Sequence, residues 1–262
     1  MIDTIAALGH EMALAAGELL MGARQSAFLI EAKANRQDLV TELDRRVETE
    51  IIGRIKAAYP DHAVLGEESG ETAGAAPYQW VIDPLDGTMN YAHRYPIFSV
   101  SIAFKAHGVT EWGGVFVPAL NEMYSAIRGR GAFLGERELH VSTIEELSDA
   151  LITTGFPTTK ATDPDHNILE VTAVLPHIGD LRRSGSAAFD LTQVAAGRID
   201  GFWEYGLNEW DIAAGALLVM EAGGTLGIIR DPSAPPKKQG FVATNGRIHV
   251  ELMGRLTEAL AR

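Results

Sequence analysis

The sequence predicts a single α/β unit (α+β by some schemes) of layered helices and sheets, and three observations carry that expectation. Apolar residues recur at helical spacing near the start of the chain and again before residue 60. Short strand-like runs separated by Gly, Asn and Pro fill roughly 63–141, and beyond about 142 helices and strands alternate. No linker rich in Pro, Gly or Ser divides the two textures, so one domain over 1–262 is expected, with sub-lobes of about 1–142 and 143–262.

Taken in order, Ile5, Leu8, Met12, Ala15 and Leu19 mark one face of a first helix ending near Gly22. Thr41 with Asp44 three residues on reads as a capping box for a second helix, with Leu43, Val47, Ile51 and Ile55 as its buried stripe. Tyr59-Pro60-Asp61 stops it. Strands are expected at Gln79–Ile82, Phe98–Phe104, Trp112–Val117, Met123–Ile127 and Leu139–Val141. Ser142-Thr143-Ile144-Glu145 is a second capping box and predicts a short helix through Ala150. Leu151–Thr154 then reads as a strand, Pro164–Leu175 as a helix, and Ser186–Ala196 as a helix closed by Gly197. Ile199–Trp203 is a strand, Trp210–Ala222 a helix closed by Gly223-Gly224, and Thr225–Ile229 a strand, with a last helix from about His249.

Composition narrows the function classes. At 262 residues and 46% hydrophobic, the chain can bury a full core, which excludes disorder, collagen-like fibre and a disulfide mini-scaffold. The absence of cysteine excludes thiol nucleophiles, Cys-based zinc sites and iron–sulfur clusters. Lys+Arg 22 against Asp+Glu 35 gives −13, and the one Lys pair, Lys237-Lys238, follows Pro235-Pro236 in what reads as a loop. Nucleic acid is therefore not expected as the primary partner. An acidic enzyme acting on a phosphate needs its local field reversed, and a bound divalent metal does that. No apolar stretch approaches the roughly 18–20 residues of a membrane helix, so no membrane partner is expected. The start MIDTIAALGHEM carries Asp3 and no basic n-region, so it does not read as a secretory signal and a cytoplasmic address is expected.

Several common routes are closed. Gly-x-x-x-x-Gly-Lys is absent, Gly129, Gly131 and Gly135 miss the dinucleotide spacing by one position, and no Gly-x-Ser-x-Gly elbow occurs. His10-Glu11 begins like a zinc-protease motif, but Leu14 stands where the second His belongs.

The chemistry concentrates elsewhere. The apolar run Trp80-Val81-Ile82 feeds into Asp83-Pro84-Leu85-Asp86-Gly87-Thr88, a strand end followed by a stiff turn. Two carboxylates three apart on such a turn can converge, and with the Leu85 carbonyl they offer hard oxygens suited to Mg²⁺ or Mn²⁺. Gly87 and Thr88 open a possible short helix whose free N–H groups would hold a phosphate. The same hexapeptide also reads as an ordinary surface turn. Gly66-Glu67-Glu68-Ser69 follows the apolar run Ala63-Val64-Leu65, and Asp211 stands at the mouth of an apolar helix, where N-capping is the bland alternative.

Asp83-Pro84-Leu85-Asp86-Gly87-Thr88 and Trp210-Asp211-Ile212-Ala213-Ala214-Gly215, with Glu221-Ala222-Gly223-Gly224, resemble the two signatures of the inositol monophosphatase family. Asp38-Leu39-Val40-Thr41-Glu42-Leu43-Asp44 and Gly66-Glu67-Glu68-Ser69 match its two upstream elements in the right order, so the resemblance spans roughly residues 30 to 225. It implies a layered α-β-α-β-α sandwich of the inositol monophosphatase/fructose-1,6-bisphosphatase type, and an Mg²⁺-dependent, lithium-sensitive phosphatase that is a homodimer.

Carried over by position, the resemblance implies that Glu67, Asp83 and the Leu85 carbonyl hold a first metal and that Asp83, Asp86 and Asp211 hold a second. A third ion would sit by Glu67, giving two to three Mg²⁺ in all, with Mn²⁺ as a substitute. Thr88, held by Asp44, would orient the metal-activated water or take its proton, with Glu67 assisting. Lys33 stands where the family keeps a Lys, and a solvated surface Lys is the equal alternative. Glu204, seven residues before Asp211, matches the acid that binds cyclitol hydroxyls in inositol-selective members. The backbone of Ser186 and Ala187, the Asp86 carboxylate and the Gly87-Thr88 turn would complete the substrate site, and Arg183 is a further candidate contact, with a structural salt bridge as its alternative. A carboxylate at 204 accepts hydroxyls and repels a second phosphate, which favours a small phosphorylated polyol with one phosphate, myo-inositol monophosphate first. Histidinol phosphate, fructose 1,6-bisphosphate and a nucleotide 3′-phosphate are the alternatives, as is a non-catalytic phosphometabolite- or protein-binding role. Asp190, Asp200 and Glu209 read as surface acids.

Overall fold

Two helices, α1 (Ile2–Ser26) and α2 (Arg36–Ala58), precede a run of strands: β1 (Ala63–Gly66), β2 (Gly70–Thr72), β3 (Tyr78–Asp86), β4 (Ser99–Ala106), β5 (Val109–Val117), β6 (Glu122–Ile127), β7 (Ala132–Leu134) and β8 (Arg137–Glu138). A short helix, α3 (Thr88–Ala92), interrupts that run after β3. The second half alternates: β9 (Leu151–Thr154), α4 (Ile168–Val174), β10 (Asp180–Arg182), α5 (Ala187–Ala195), β11 (Gly201–Tyr205), α6 (Glu209–Glu221), β12 (Thr225–Ile229), β13 (Gly240–Thr244) and α7 (His249–Leu260). The computed structural model describes residues 1–26, 36–72, 74, 77–157, 167–229 and 239–260.

The strands form two mixed sheets. The first runs β2-β1-β3-β4-β5-β6-β7-β8, and the second β10-β9-β11-β13-β12. In the first sheet only β1 and β3 pair in parallel; in the second, β9 is parallel to both β10 and β11. Side-chain alternation sorts each strand's apolar residues onto two buried faces. Trp80, Ile82, Ile102, Phe104 and Trp112 pack under α1 and α2, while Val81, Ala103 and Val115 face α5 and α6. On the second sheet Phe202 and Ala243 face the same α5–α6 layer, and Trp203, Tyr205 and Val242 face α4 and α7. The molecule is thus an α-β-α-β-α sandwich, with α5 and α6 as the shared middle layer. No helix among the described residues is long and apolar enough to cross a membrane.

Several expected boundaries move. α2 begins at Arg36, ahead of Thr41, which places Asp44 in the helix interior rather than in a capping box. No proline or glycine between 36 and 41 stops the helix from extending that way. The Ser142 capping box does not form, and only a 3₁₀ turn over Leu147–Asp149 appears. The Ser142 hydroxyl is engaged instead by the Asp200 carboxylate and the Asn245 amide, tertiary partners that replace the local cap. Leu139–Val141 is not a strand; the chain leaves the sheet there, and the Val141 N–H bonds the Ala222 carbonyl at the end of α6. α1 passes Gly22 and continues to Ser26. α4 covers only Ile168–Val174, and the proposed start at Pro164 lies outside the described residues, as does the Lys237-Lys238 loop.

Candidate functional site

The carboxyl ends of the parallel strands β1 and β3 lie side by side, with Gly66 paired to Ile82. Crevices form at such ends in mixed sheets. The chain after β1 presents Glu67, whose N–H bonds the Ile82 carbonyl at 3.2 Å. At the end of β3 the pairing with β4 shifts between Asp83 and Asp86, so Pro84 and Leu85 form a bulge. The Asp83 carboxylate accepts the Leu85 N–H at 3.0 Å, which fixes the turn. Gly87 follows with φ 92°, and a Cβ there would lie 3.1 Å from the Ile97 carbonyl and 3.3 Å from the Gly185 carbonyl. Only glycine suits that backbone and that closeness.

Asp211 is at the third position of α6, and its carboxylate reaches back to the Asn208 N–H at 2.6 Å. Asn208, not Asp211, is the cap residue. Asp86 joins the two halves of the molecule. Its Oδ2 accepts the Ala188 N–H at 2.8 Å and the Ser186 hydroxyl at 2.5 Å, with the Ser99 hydroxyl at 3.4 Å and the Ala187 N–H as further donors. The carboxylate therefore sits on the N-terminus of α5, where free N–H groups and the helix dipole favour negative charge. Asn90 of α3 strengthens the same junction by donating to the carbonyls of Ile97 (2.6 Å) and Ser184 (2.9 Å).

Electrostatics shows which acids are gathered. Burial pushes the Asp83 carboxyl well above its ordinary range, and the charges of Glu67, Asp86 and Asp211 push it further. Burial and Asp86 lift Asp211 to about 7. Glu67 is raised by desolvation of its carboxyl, offset by a hydrogen bond with the Asp83 carboxyl. Burial raises Asp86 as well, while the hydroxyl and N–H donors above pull it down. Asp44 is lifted to about 8 by burial, then by Glu67, Glu68 and Glu48, and its Oδ1 is buried without a hydrogen-bond partner. Hard, mutually repelling carboxylates from α2, β1, β3 and α6, with an orphaned carboxylate oxygen beside them, are a donor set that fits a hard divalent cation. They are gathered but not shut: among the described residues no three His, Asp or Glu side chains close into a ready-made cation cage.

Two expected details differ. The Thr88 hydroxyl donates to the Leu85 carbonyl at 3.1 Å rather than to Asp44. The same contact occupies one face of the carbonyl expected to meet a metal. The helix start at Thr88 positions that hydroxyl over the turn, whereas Asp44 comes from α2. Lys33 lies outside the described residues.

Across from the acids stands a second group. Glu204 of β11 is lifted to about 8 by burial and then by Asp190 and Asp86, with Arg183 pulling the other way. Its carboxyl is therefore sequestered rather than freely solvated. Asp190 corrects the surface assignment: it is 2% exposed and raised to about 7 by burial, with the nearby Ser184 and Thr153 hydroxyls pulling it back down. Asp200 is also buried, accepting from Ser142 and from the Leu151 N–H at 2.6 Å. Glu209 is exposed and pairs with Lys105. Arg183 is exposed, with its charge felt by both Asp190 and Glu204.

Sequence reasoning missed Glu48. It is 2% exposed on α2, and its carboxylate accepts the N–H groups of Glu68 (3.0 Å) and Ser69 (2.8 Å), clasping the loop that carries Glu67. Its place one helical turn after Asp44, on the same face, was the available signal.

The inositol monophosphatase family model matches residues 1–262. An inositol-1-monophosphatase of Synechocystis is 40% identical over 252 residues, covering 96% of this chain and 88% of the relative. A Pseudomonas aeruginosa protein named Nus factor SuhB is 45% identical over 218 residues, covering 81% of this chain and 80% of the relative. The solved inositol monophosphatase of Anabaena superposes with a TM-score of 0.87 at 38% identity, covering 98% of this chain and 96% of that one. With a family model spanning its whole length and relatives of this similarity, the chain belongs to the inositol monophosphatase family, phosphatases that are generally metal-dependent and act on small phosphate esters.

Proposed function

We propose that the chain hydrolyses a polyol monophosphate, with myo-inositol 1-phosphate as the leading substrate, using Mg²⁺ held by Glu67, Asp83, the Leu85 carbonyl, Asp86 and Asp211. The observation that carries this is the Asp83 carboxyl: it is buried, and the charges that act most strongly on it are the carboxylates Glu67, Asp86 and Asp211. Two to three Mg²⁺ ions, with Mn²⁺ as substitute, would neutralise phosphate charge and lower the pKa of water at the site. Every other role falls to the chain. The backbone N–H groups of the Gly87-Thr88 turn and the Thr88 hydroxyl orient the phosphate, and the Glu67 carboxylate takes the proton of the attacking water and returns it to the alkoxide oxygen released as the ester P–O bond breaks. Asp44, whose carboxyl is lifted to about 8 by burial and then by Glu67, keeps a carboxyl group beside Glu67. Asp86, fixed on α5, and Glu204 accept substrate hydroxyls, and the acids around Glu204 disfavour a second phosphate.

The test is release of inorganic phosphate from myo-inositol 1-phosphate with and without Mg²⁺. Turnover that requires the metal supports the reading; none at any Mg²⁺ concentration overturns it. A panel of histidinol phosphate, fructose 1,6-bisphosphate and a nucleotide 3′-phosphate names the substrate by the highest kcat/KM. Lithium inhibition of that turnover and a homodimer in sedimentation are the accompanying expectations.

The relatives named as Nus factors favour a second reading, a factor role of that kind independent of hydrolysis. Asp83→Asn separates the two: a cellular phenotype that survives loss of phosphatase activity belongs to the second.

A further inference from the structure

Gly155 follows β9 directly and is buried. A Cβ built on it would overlap the whole Glu204 carboxylate, meeting Cδ and both oxygens. The three atoms nearest to that position all belong to this one side chain, so its carboxylate occupies the space that the glycine leaves open. The backbone at 155 does not have a positive φ, so a side chain is compatible with its conformation, and the first group it meets is the carboxylate.

The peptide is held firmly in that place. Asn167, 1% exposed, donates from Nδ2 to the Gly155 carbonyl at 2.6 Å and to the Thr154 hydroxyl at 2.8 Å. Its Oδ1 accepts the Trp203 Nε1–H at 2.6 Å, and the Thr154 hydroxyl donates to the Trp203 carbonyl at 2.6 Å. β9 and β11 are paired up to Thr154 and Trp203, so Gly155 and Glu204 are the next step beyond the ladder on each strand. The buried network thus locks the bare backbone of 155 against the residue whose carboxylate it seats.

We propose that Gly155 is the specificity-determining position of the polyol side: its missing side chain seats the Glu204 carboxylate in the pose that accepts substrate hydroxyls. This rests on the reading of Glu204 as the hydroxyl acceptor. Any side chain at 155 displaces that carboxylate while leaving the phosphate side, carried by β3 and α3, in place. Family members with a larger residue at this position would then present their acid differently and prefer other leaving groups.

The experiment compares kcat/KM for myo-inositol 1-phosphate with that for p-nitrophenyl phosphate, whose leaving group has no polyol hydroxyl, at saturating Mg²⁺. The ratio is measured for wild type, Gly155→Ala, Glu204→Ala and the double variant. Gly155→Ala is expected to lower the ratio about tenfold, the equivalent of one lost hydrogen bond. In the Glu204→Ala background the same change should move it less than about twofold, since contacting residues couple and independent ones add. An equal further drop in the double variant, or an equal loss on both substrates in Gly155→Ala, overturns the proposal. If Glu204→Ala leaves the ratio unmoved, the reading of Glu204 fails and this inference falls with it. If Glu204→Ala lowers it and Gly155→Ala does not, the inference alone fails. Should Gly155→Ala not fold, the double variant, which lacks the colliding carboxylate, is expected to fold; failure of both overturns the proposal.

Discussion

The acids at the ends of β1 and β3 and those around β11 are both buried and both raised above the ordinary carboxylate range, yet they are built differently. On the first side the charges that act most strongly on Asp44, Asp83 and Asp211 are all carboxylates. Around Glu204 and Asp190 the guanidinium of Arg183 also acts, and the polar side chains of Ser184 and Thr153 pull Asp190 back down. One region is left electrostatically unbalanced and suited to multivalent cations; the other is closer to internally satisfied and suited to neutral hydroxyls. Asp86 belongs to both, since it raises Glu204 and Asp83 while resting on the N-terminus of α5. The contrast follows from which partners each carboxyl finds.

The harshest way to break the comparison is Asp83→Asn. The amide oxygen keeps the turn bond to the Leu85 N–H, so the fold survives, but the central anionic donor is gone. Phosphate release is expected to fall by at least about 10³-fold, in line with loss of a principal electrostatic contributor. Thermal unfolding in a chelator should shift upward by about 2 °C or more, because folding no longer has to desolvate this carboxyl or take up a proton on it. Retained turnover, or a lower melting temperature in chelator, would contradict an unbalanced acidic side.

A milder change tests the junction. The Ser186 hydroxyl accepts the Phe189 N–H at the start of α5 and donates to Asp86. Ser186→Ala should cost about 1–2 kcal/mol of stability as a lost helix cap. It should also weaken turnover on every ester tested, because Asp86 serves both sides. Circular dichroism melts and the substrate panel check this; loss on polyol esters alone would assign Ser186 to one side only.

The two regions were also unequally legible in the sequence. Asp83 and Asp86 share one short turn with Pro84 and Gly87, and Glu67 and Asp211 follow or open apolar runs, so their chemistry could be read from contiguous residues. The α5 cap at Ser186, the strand Leu151–Thr154 and the stripe Val47, Ile51, Ile55 were equally local signals. Asp190 and Asp200 read as surface acids because nothing nearby in sequence reveals that Asp190 is buried beside Ser184 and Thr153 or that Ser142 and Leu151 supply hydrogen bonds to Asp200. The false cap at Ser142 failed for the same reason, its hydroxyl being taken by residues far along the chain. Edge strands such as β8 and β10 escaped notice because two- or three-residue pairings carry no periodicity. Local chemistry is written in neighbours; burial of polar groups is a tertiary property.

The gentlest test uses pH. Asp44 and Glu204 titrate near 8 and Asp190 near 7 in the folded chain, against about 4 when unfolded. Between those values the native state keeps protons that the unfolded chain has released, so stability is greatest toward pH 5 and is lost as pH rises through 7 and 8. The slope cannot exceed about 1.4 kcal/mol per pH unit for each such group. Divalent cation should divide the effect by region. Mg²⁺ favours ionised carboxylates and should flatten the part contributed by Asp44 and its neighbours, whereas the part contributed by Asp190 and Glu204 should persist. Asp190→Asn is then expected to reduce the slope that remains in Mg²⁺, and Asp44→Asn the slope seen only in chelator. Melting temperatures from pH 5.5 to 8.5 with Mg²⁺ and with chelator read both. A profile in chelator that is flat or rises with pH would mean that these carboxyls ionise on folding as they do in water, and the contrast between the two regions would lose its physical basis.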